Sequence, residues 1–496
     1  MRKTFILLIS GLLAASGASA EVLTLDECRR MALENNKALQ MASAEKRAAY
    51  YQRKSAFTNY LPKISAAGGY MFTSREISLL DDEQKQTLPH IGDGVAAGAQ
   101  QAAGALMQHP QLGPMLQGMQ GQLGTMVNGL QSQLNGAGQS IVDALDTDTR
   151  NAAAITLQLT QPIYMGGKIV AYNKIARLAE QAADDKLALA QQDVLVEVDE
   201  TYWQIVALTA KRDLAESYLN LVKDLEKDVD AMIAEGVATK ADGLSVKVKA
   251  NQADVALIQV NNGLSLLKML LCQILGIDVN TPVTLADETM LDNLTADSRE
   301  IAASYDEAWR QNRPELRALG RSAEVFHQKE RLALAETMPT VALTGGYSWL
   351  TPGLFNGFQN RFNGLWNVGV VVKIPLITWG DRFYKVKAAR ANTQVARLKL
   401  EEATEKIELQ ISQSRNSLEE SRQRLLACES AGAVADENLR IATLGLSEGV
   451  IPVINVNEAQ TAWLSARSAL IAAKIDLKLA HIHLQRALGT INNSAN

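Results

Sequence analysis

Residues 162–276 and 375–489 are two versions of one pattern. Pro162, Gly167, Glu235-Gly236-Val237 and Leu275-Gly276 return as Pro375, Gly380, Glu448-Gly449-Val450 and Leu488-Gly489; 375 − 162, 449 − 236 and 489 − 276 all equal 213. A gap-free match of that length demands one geometry in both stretches, so the chain reads as a tandem duplication. A second echo lies upstream. Leu39, Pro62, Gly68-Gly69 and Tyr70 recur as Leu316, Pro339, Gly345-Gly346 and Tyr347, with 339 − 62 and 347 − 70 both 277. Each repeat carries a helix too long for a globule. Residues 168–234 contain no Pro or Gly, and at 1.5 Å per residue they span roughly 100 Å. Leu214, Tyr218, Leu221, Leu225, Val229 and Met232 step by three or four along it, a coiled-coil-like seam. Residues 239–276 return as a second helix of about 57 Å, and 381–446 and 452–489 repeat the pair. Helices at 37–60 and 314–337 add about 36 Å each, enough to stack on the shorter helix of a pair and match the longer. Thr24 with Glu27 marks the start of the first helix as a capping box.

Four other stretches alternate with period two. After Pro62, Ile64, Ala66, Gly68, Tyr70 and Phe72 oppose Ser65, Ala67, Gly69 and Met71; Ile155, Leu157 and Leu159 oppose Thr156, Gln158 and Thr160. Val341, Leu343, Tyr347 and Trp349 oppose Ala342, Thr344, Gly346 and Ser348; Trp366, Val368, Val370, Val372 and Ile374 oppose Asn367, Gly369 and Lys373. These are strands at about 63–75, 152–162, 340–350 and 365–375, apolar on one face. Each has about the 9–11 residues a tilted strand needs to cross a bilayer. Tyr70, Phe72, Tyr164, Tyr347, Trp349, Trp366 and Trp379 gather near their ends, where membrane-interface aromatics sit. An ordinary sheet with one buried face is the plainer reading, but long helices offer it no compact partner layer.

Residues 1–20 read as a signal peptide. Arg2 and Lys3 precede an apolar run, and Ala18-Ser19-Ala20 offers a cleavage site before Glu21. No Cys stands there to support a lipoprotein start. Cys28, Cys272 and Cys428 show no metal spacing and read as buried or idle thiols. The net charge of −5 becomes −5 − 2 = −7 once Arg2 and Lys3 are removed. An acidic balance without a basic patch excludes nucleic acid as the expected partner. Beyond the signal, no run reaches the roughly 18 apolar residues of a membrane helix, yet strands can still carry an exported chain into a membrane.

The first repeat spans 21–276, with an insertion at 76–151 and a helical hairpin at 166–276. A linker at 277–302 leads to the second repeat at 303–490, with its hairpin at 380–489 and a tail at 491–496. The insertion is rich in Gly, Gln, Ala and Met and has no counterpart in the second repeat, where 351–364 is short. Met107, His109, Met115, Met119 and Met126 crowd into it, and thioethers suit Cu(I). However, Met115, Leu116, Met119, Leu123, Met126, Leu130 and Leu134 also form one face of an amphipathic helix, so packing is expected and no metal site. That seam is expected to pack between copies of the chain.

Four strands cannot close a transmembrane barrel, whose smallest examples have about eight, and an open edge cannot survive in lipid. The barrel must be shared between chains. The doubled strand–helix–helix layout, the Pro62/Pro339 and Pro162/Pro375 steps and the paired Gly236-Val237 and Gly449-Val450 tips resemble the TolC-like outer-membrane efflux protein family, across essentially the whole mature chain. The resemblance implies a mixed α/β membrane protein. In it, a homotrimeric twelve-stranded β-barrel, four strands per chain, stands in the outer-membrane lipid. A long α-helical coiled-coil tunnel continues it through the periplasm. The implied function is the exit duct of a tripartite efflux or secretion system, with a periplasmic adaptor protein and an inner-membrane transporter, and no cofactor. The insertion is larger than the family's usual outer loop.

The same resemblance assigns Gly236, Val237, Gly449 and Val450 to adaptor docking; as residues, the glycines read as left-handed helix caps. The family narrows its closed tunnel end with two acidic positions one turn apart. Counted from Gly449, these fall on Asn455 and Glu458, a spacing of three that shares a helix face. The basic and aromatic latch positions fall on apolar Ile451 and Leu446, so closure is expected to lean on packing between tips, with Asp242 as a hydrogen-bond acceptor. Catalysis has no support. His90, His109, His327, His481 and His483 form no constellation with a nucleophile, and no phosphate loop is visible. The rival of another class is a non-channel periplasmic coiled-coil scaffold, which explains the helices and leaves the four aromatic-ended strands without a role.

Overall fold

A computed structural model describes residues 21–74, 79–107, 113–145, 149–289, 309–353 and 361–491. In chain order the elements are β1 (Glu21–Leu23), α1 (Leu25–Asn35), α2 (Lys37–Phe57), β2 (Lys63–Phe72), α3 (Asp82–Thr87), α4 (Ile91–Met107), α5 (Gly113–Leu145), β3 (Asn151–Met165), α6 (Lys168–Ala234), α7 (Lys240–Leu275), β4 (Val283–Leu285), α8 (Trp309–Asn312), α9 (Pro314–Ala335), β5 (Thr340–Thr351), β6 (Asn363–Lys373), α10 (Asp381–Ser447) and α11 (Val453–Leu488). They form two units. The first comprises residues up to 56, 170–331 and 383 onwards; the second comprises 57–169 and 332–382. The expected signal peptide lies outside the described residues.

The first unit is helical. α6 and α10 have 67 residues each, α7 and α11 36 each. Their apolar seams bury Val198, Tyr202 and Ile205 of α6 against Leu271 and Ile274 of α7, with Cys28 and Ala32 of α1. Burial of each large side chain here stabilises by about 1.5–3 kcal/mol. α1 begins at the Thr24–Glu27 capping box. Cys28, Cys272 and Cys428 are free, and burial pushes the Cys28 thiol up to about 12. The stretch from 277 is more than a linker, since β4 within it pairs in parallel with β1, Glu21 to Val283 and Leu23 to Leu285. Ile491 opens the expected tail. It is 1% exposed, packed with Leu195, Val196 and Ile482.

One contact recurs in both halves. Gly276 and Gly489 close α7 and α11 with φ of 73° and 70°. A Cβ on Gly276 would lie 2.6 Å from the Asn35 carbonyl oxygen, and one on Gly489 2.9 Å from that of Asn312. Glycine is needed twice over, for the left-handed cap and for the close approach. The positions 276 and 489 differ by 213, and 35 and 312 by 277; the two sequence registers meet at this contact.

In the second unit a four-stranded antiparallel sheet has the order β2-β3-β5-β6. Within one chain it is open, with β2 and β6 as its edges. The insertion leaves β2 at Phe72 and re-enters at Asn151, its register partner. α4 and α5 form an antiparallel hairpin. Gly92 sits against Gln131 and Gly138 against Leu88, each so closely that a Cβ would collide with the facing carbonyl. Between them the Asp93 carboxylate accepts from Asn135 Nδ2 at 2.7 Å and Gln131 Nε2 at 2.8 Å, which hold it below the usual carboxylate range. The expected single seam of α5 divides. Leu123, Val127 and Leu134 are half-buried and Val142 is buried, whereas Met119, Met126 and Leu130 are exposed. The reason is geometric, for α4 covers only one side of an apolar surface wider than one neighbour. His109 and the Met115 and Leu116 side chains lie outside the described residues.

The helical unit's most demanding electrostatic element is Arg29 on Asp199. Nε and Nη2 each donate at 2.7 Å to one carboxylate oxygen, and the Asp199 side chain is wholly buried. Replacing Arg29 by Met should destabilise the fold by about 3–5 kcal/mol, because a buried charge is left unpaired. Chemical denaturation followed by helical circular dichroism checks this. Adding Asp199→Leu should recover most of the loss.

Candidate functional site

Both helical hairpins turn through the same motif. α6 ends at Ala234 and Gly236 takes φ 75°; its amide donates to Ile233 O at 3.1 Å and that of Val237 to Met232 O at 2.8 Å. α10 ends at Ser447 and Gly449 takes φ 72°; its amide donates to Leu446 O at 3.0 Å and that of Val450 to Gly445 O at 2.8 Å. These paired bonds are Schellman caps, which satisfy the last carbonyls of a helix and require a left-handed residue. Val237 and Val450 project beyond them, 70% and 79% exposed. A Cβ on either tip glycine would meet nothing within 4 Å, so conformation, not crowding, selects glycine there.

The return helices start differently. Thr239 caps α7 through a capping box with Asp242, whose Oδ2 accepts from the Thr239 hydroxyl at 2.6 Å and its amide at 2.9 Å. Those two bonds hold the Asp242 carboxyl below the usual carboxylate range and commit one of its oxygens to the helix start. Pro452 precedes α11 as its N-cap, and its carbonyl accepts from the Asn455 amide at 3.1 Å.

Asn455 and Glu458 are exposed on one side of α11. The opposite side is sealed: Val453, Val456 and Ala459 pack with Ala442 and Leu446 of α10 and with Leu225, Val229 and Val246 of the other hairpin. Leu446 is thus an interior residue, 7% exposed. Ile451 folds back on α10, where a Cβ on Gly445 would lie 2.4 Å from its Cδ1. Behind this region Asp436 accepts from Trp463 Nε1 at 2.7 Å and from Arg467 Nη2 at 2.6 Å, tying α10 to α11. Sequence reasoning missed this clamp; the Trp463/Arg467 spacing of four, on one helix face, is the signal that carries it.

The sheet has a consistent apolar face. Ile155, Leu157 and Leu159 of β3 lie in register with Gly68, Ala66 and Ile64 of β2 and with Trp349, Tyr347 and Gly345 of β5, and Tyr347 and Gly345 with Trp366 and Val368 of β6. Register partners share a face. Tyr70 and Phe72 extend it towards the insertion. Trp366 is 72% exposed and Val368 68%. The Tyr347 ring lies 4.2 Å from that of Trp349, tilted by 50°, and covers Gly364, where a Cβ would collide with it. Tyr164 joins the face through a bulge. Pro162 pairs with Ala342 but Tyr164 with Val341, so Ile163 is an extra residue and the parity of β3 reverses. A proline inside a strand is at home at such a bulge. The other face carries Thr156, Gln158, Thr344, Ser348 and Asn367, with the Thr156 and Ser348 hydroxyls 3.3 Å apart.

Comparison with known proteins gives this arrangement a setting. The outer membrane protein TolC of Vibrio cholerae is 23% identical over 346 residues, 68% of this chain and 76% of the relative. Among solved structures, the outer membrane protein VceC of Vibrio cholerae superposes with a TM-score of 0.68 at 18% identity, covering 94% of this chain and 96% of its own. The Campylobacter jejuni CmeC outer membrane channel gives 0.70 at 15% identity, covering 94% and 85%. These likenesses place the fold among outer-membrane channels. The family described as outer membrane efflux protein matches residues 122–276 and 307–490. With more than half its length matched, the chain belongs to the outer membrane efflux protein family.

Proposed function

We propose that three copies of the chain close a twelve-stranded barrel in the outer membrane, its lower part a periplasmic helical tunnel. The assembly serves as the exit duct of a tripartite efflux or secretion system. The carrying observation is the open sheet: four strands, two free edges, one apolar and aromatic face and one polar face. In lipid such a sheet is tolerable only when closed. Three copies supply twelve strands and turn the polar face inward. A periplasmic scaffold would leave Trp366, Val368, Val370 and Val372 bare in water, all more than half exposed. A transport duct calls for no catalytic residue.

The tips suit docking of a periplasmic adaptor that links the duct to an inner-membrane transporter. Val237 and Val450 stand free, and the glycines leave room for a partner backbone. Threefold symmetry makes a ring of each exposed residue facing the axis. Asn455 then gives a neutral ring and Glu458 an acidic one, a cation-preferring constriction. Leu446, Ile451 and their neighbours hold the closed end by packing.

Native mass of the detergent-solubilised protein should be that of three chains; a stable monomer with a closed barrel would exclude the reading. Gly449→Arg should abolish export while trimer and surface level are unchanged. Gly449→Asn, which also accepts a left-handed backbone, should export. Planar-bilayer recordings of Glu458→Gln should show lower cation preference and block by multivalent cations weakened by about tenfold, or 1.4 kcal/mol.

A further inference from the structure

The α4–α5 hairpin leaves one surface unexplained. Met119, Met126, Leu130 and Ile141 are 44%, 76%, 48% and 46% exposed, and they lie along a flank of α5 that α4 does not cover. Their spacing is regular. Met115, Met126 and Ala137 are eleven apart, and so are Met119, Leu130 and Ile141, which interleave with them at steps of four and seven. An eleven-residue repeat follows 3.67 residues per turn, so the stripe stays on one nearly straight line. From Met119 to Ile141 it runs about 33 Å. Residues 94–142 contain no Asp, Glu, Lys or Arg, an abnormal composition for helix surface facing water.

We infer that the occupant of this stripe is the same stripe on other copies of the chain: three α5 helices pack in parallel about the threefold axis as a plug over the outer mouth. The inference rests on the three-copy duct proposed above. Its support is local. The hairpin hangs from β2, the sheet edge that must pair with the next copy, and returns through the neighbouring strand β3. Pairing the edges therefore carries three hairpins to one axis in register. Identical faces meet there without like-charge repulsion, since the face has no charge to repel. Lipid would ask for apolarity but not for an eleven-residue period; a helix partner of the same pitch asks for both. The contacts of α5 with α4 remain as they are, because Gly92 and Asp93 are met by Gln131 and Asn135, which lie off the stripe.

Cysteine cross-linking in outer-membrane preparations tests this. In full-length chain carrying Cys428→Ser, with buried Cys28 and Cys272 retained, Met126→Cys and Leu130→Cys are oxidised with copper phenanthroline and run on denaturing gels. A thiol near a threefold axis can pair only once, so about two thirds of the chains should migrate as dimer and one third as monomer. Asn128→Cys, exposed on a different side of α5, should remain monomeric. Native mass is measured on each preparation. A trimer in which both seam variants stay monomeric overturns the plug and leaves the duct standing. Equal cross-linking of Asn128→Cys overturns it too, by removing the defined face. Absence of a trimer removes the duct and the plug together.

Discussion

A backbone amide in hydrocarbon has no water to turn to, and that fact governs this molecule. β3 and β5 are paired on both sides; β2 and β6 are paired on one. Each unpaired polar group in lipid costs several kcal/mol. An edge of about five such residues therefore outweighs the 5–15 kcal/mol that holds an ordinary domain together. In the proposed three-copy barrel, folding and association of the sheet are one event. The same constraint explains why so much large apolar side chain lies exposed on a single chain. Val370 and Val372 are 62% and 55% exposed, a liability in water and an ordinary surface in a bilayer.

The helical unit obeys the opposite rule, since helices satisfy their own backbones and need help only at their ends. The help is visible at each end that matters. Gly236 and Gly449 close the long helices, Gly276 and Gly489 the return helices, and Thr239 opens α7. With the ends satisfied locally, the middle is free to pack by seams, and the two hairpins share one interior near their tips. The strain is confined to the turns between sheet and helix. Trp379, the only non-glycine residue with positive φ among those described, holds 50° where the other half has Gly166 at 62°. It is 94% exposed, so packing does not repay its conformation.

Much of this was legible in the sequence wherever the cause is local. Capping spans four residues, so Thr24–Glu27 and Thr239–Asp242 could be read directly. Strand alternation and uninterrupted helix could be read over ten residues or seventy. What escaped depends on distant partners. The face of Tyr164 is set by how Pro162 pairs with Ala342. β1 and β4 are three residues each, too short for a period. The α5 seam reads as one apolar side because a helical wheel does not tell how many neighbours will divide it. At the tips, the spacing of Asn455 and Glu458 was readable, but the burial of Leu446 needs Val229 and Val246 from the other hairpin. The roles proposed for these residues rest on family resemblance, since a single chain does not display a ring.

The equal lengths of the two hairpins have an evolutionary consequence. Because α10–α11 and α6–α7 share one interior near their tips, a helical turn added to one hairpin alone would slide its apolar residues about 5.4 Å past those of the other. Val229 and Val246 would lose Leu446 and Val453, and the two tips would no longer be level. Length in this molecule is therefore a joint inheritance. The two halves can drift apart residue by residue, but they can lengthen or shorten only by matched events in both. Change in size is left to the segments no twin constrains, of which the large insertion between β2 and β3 is one.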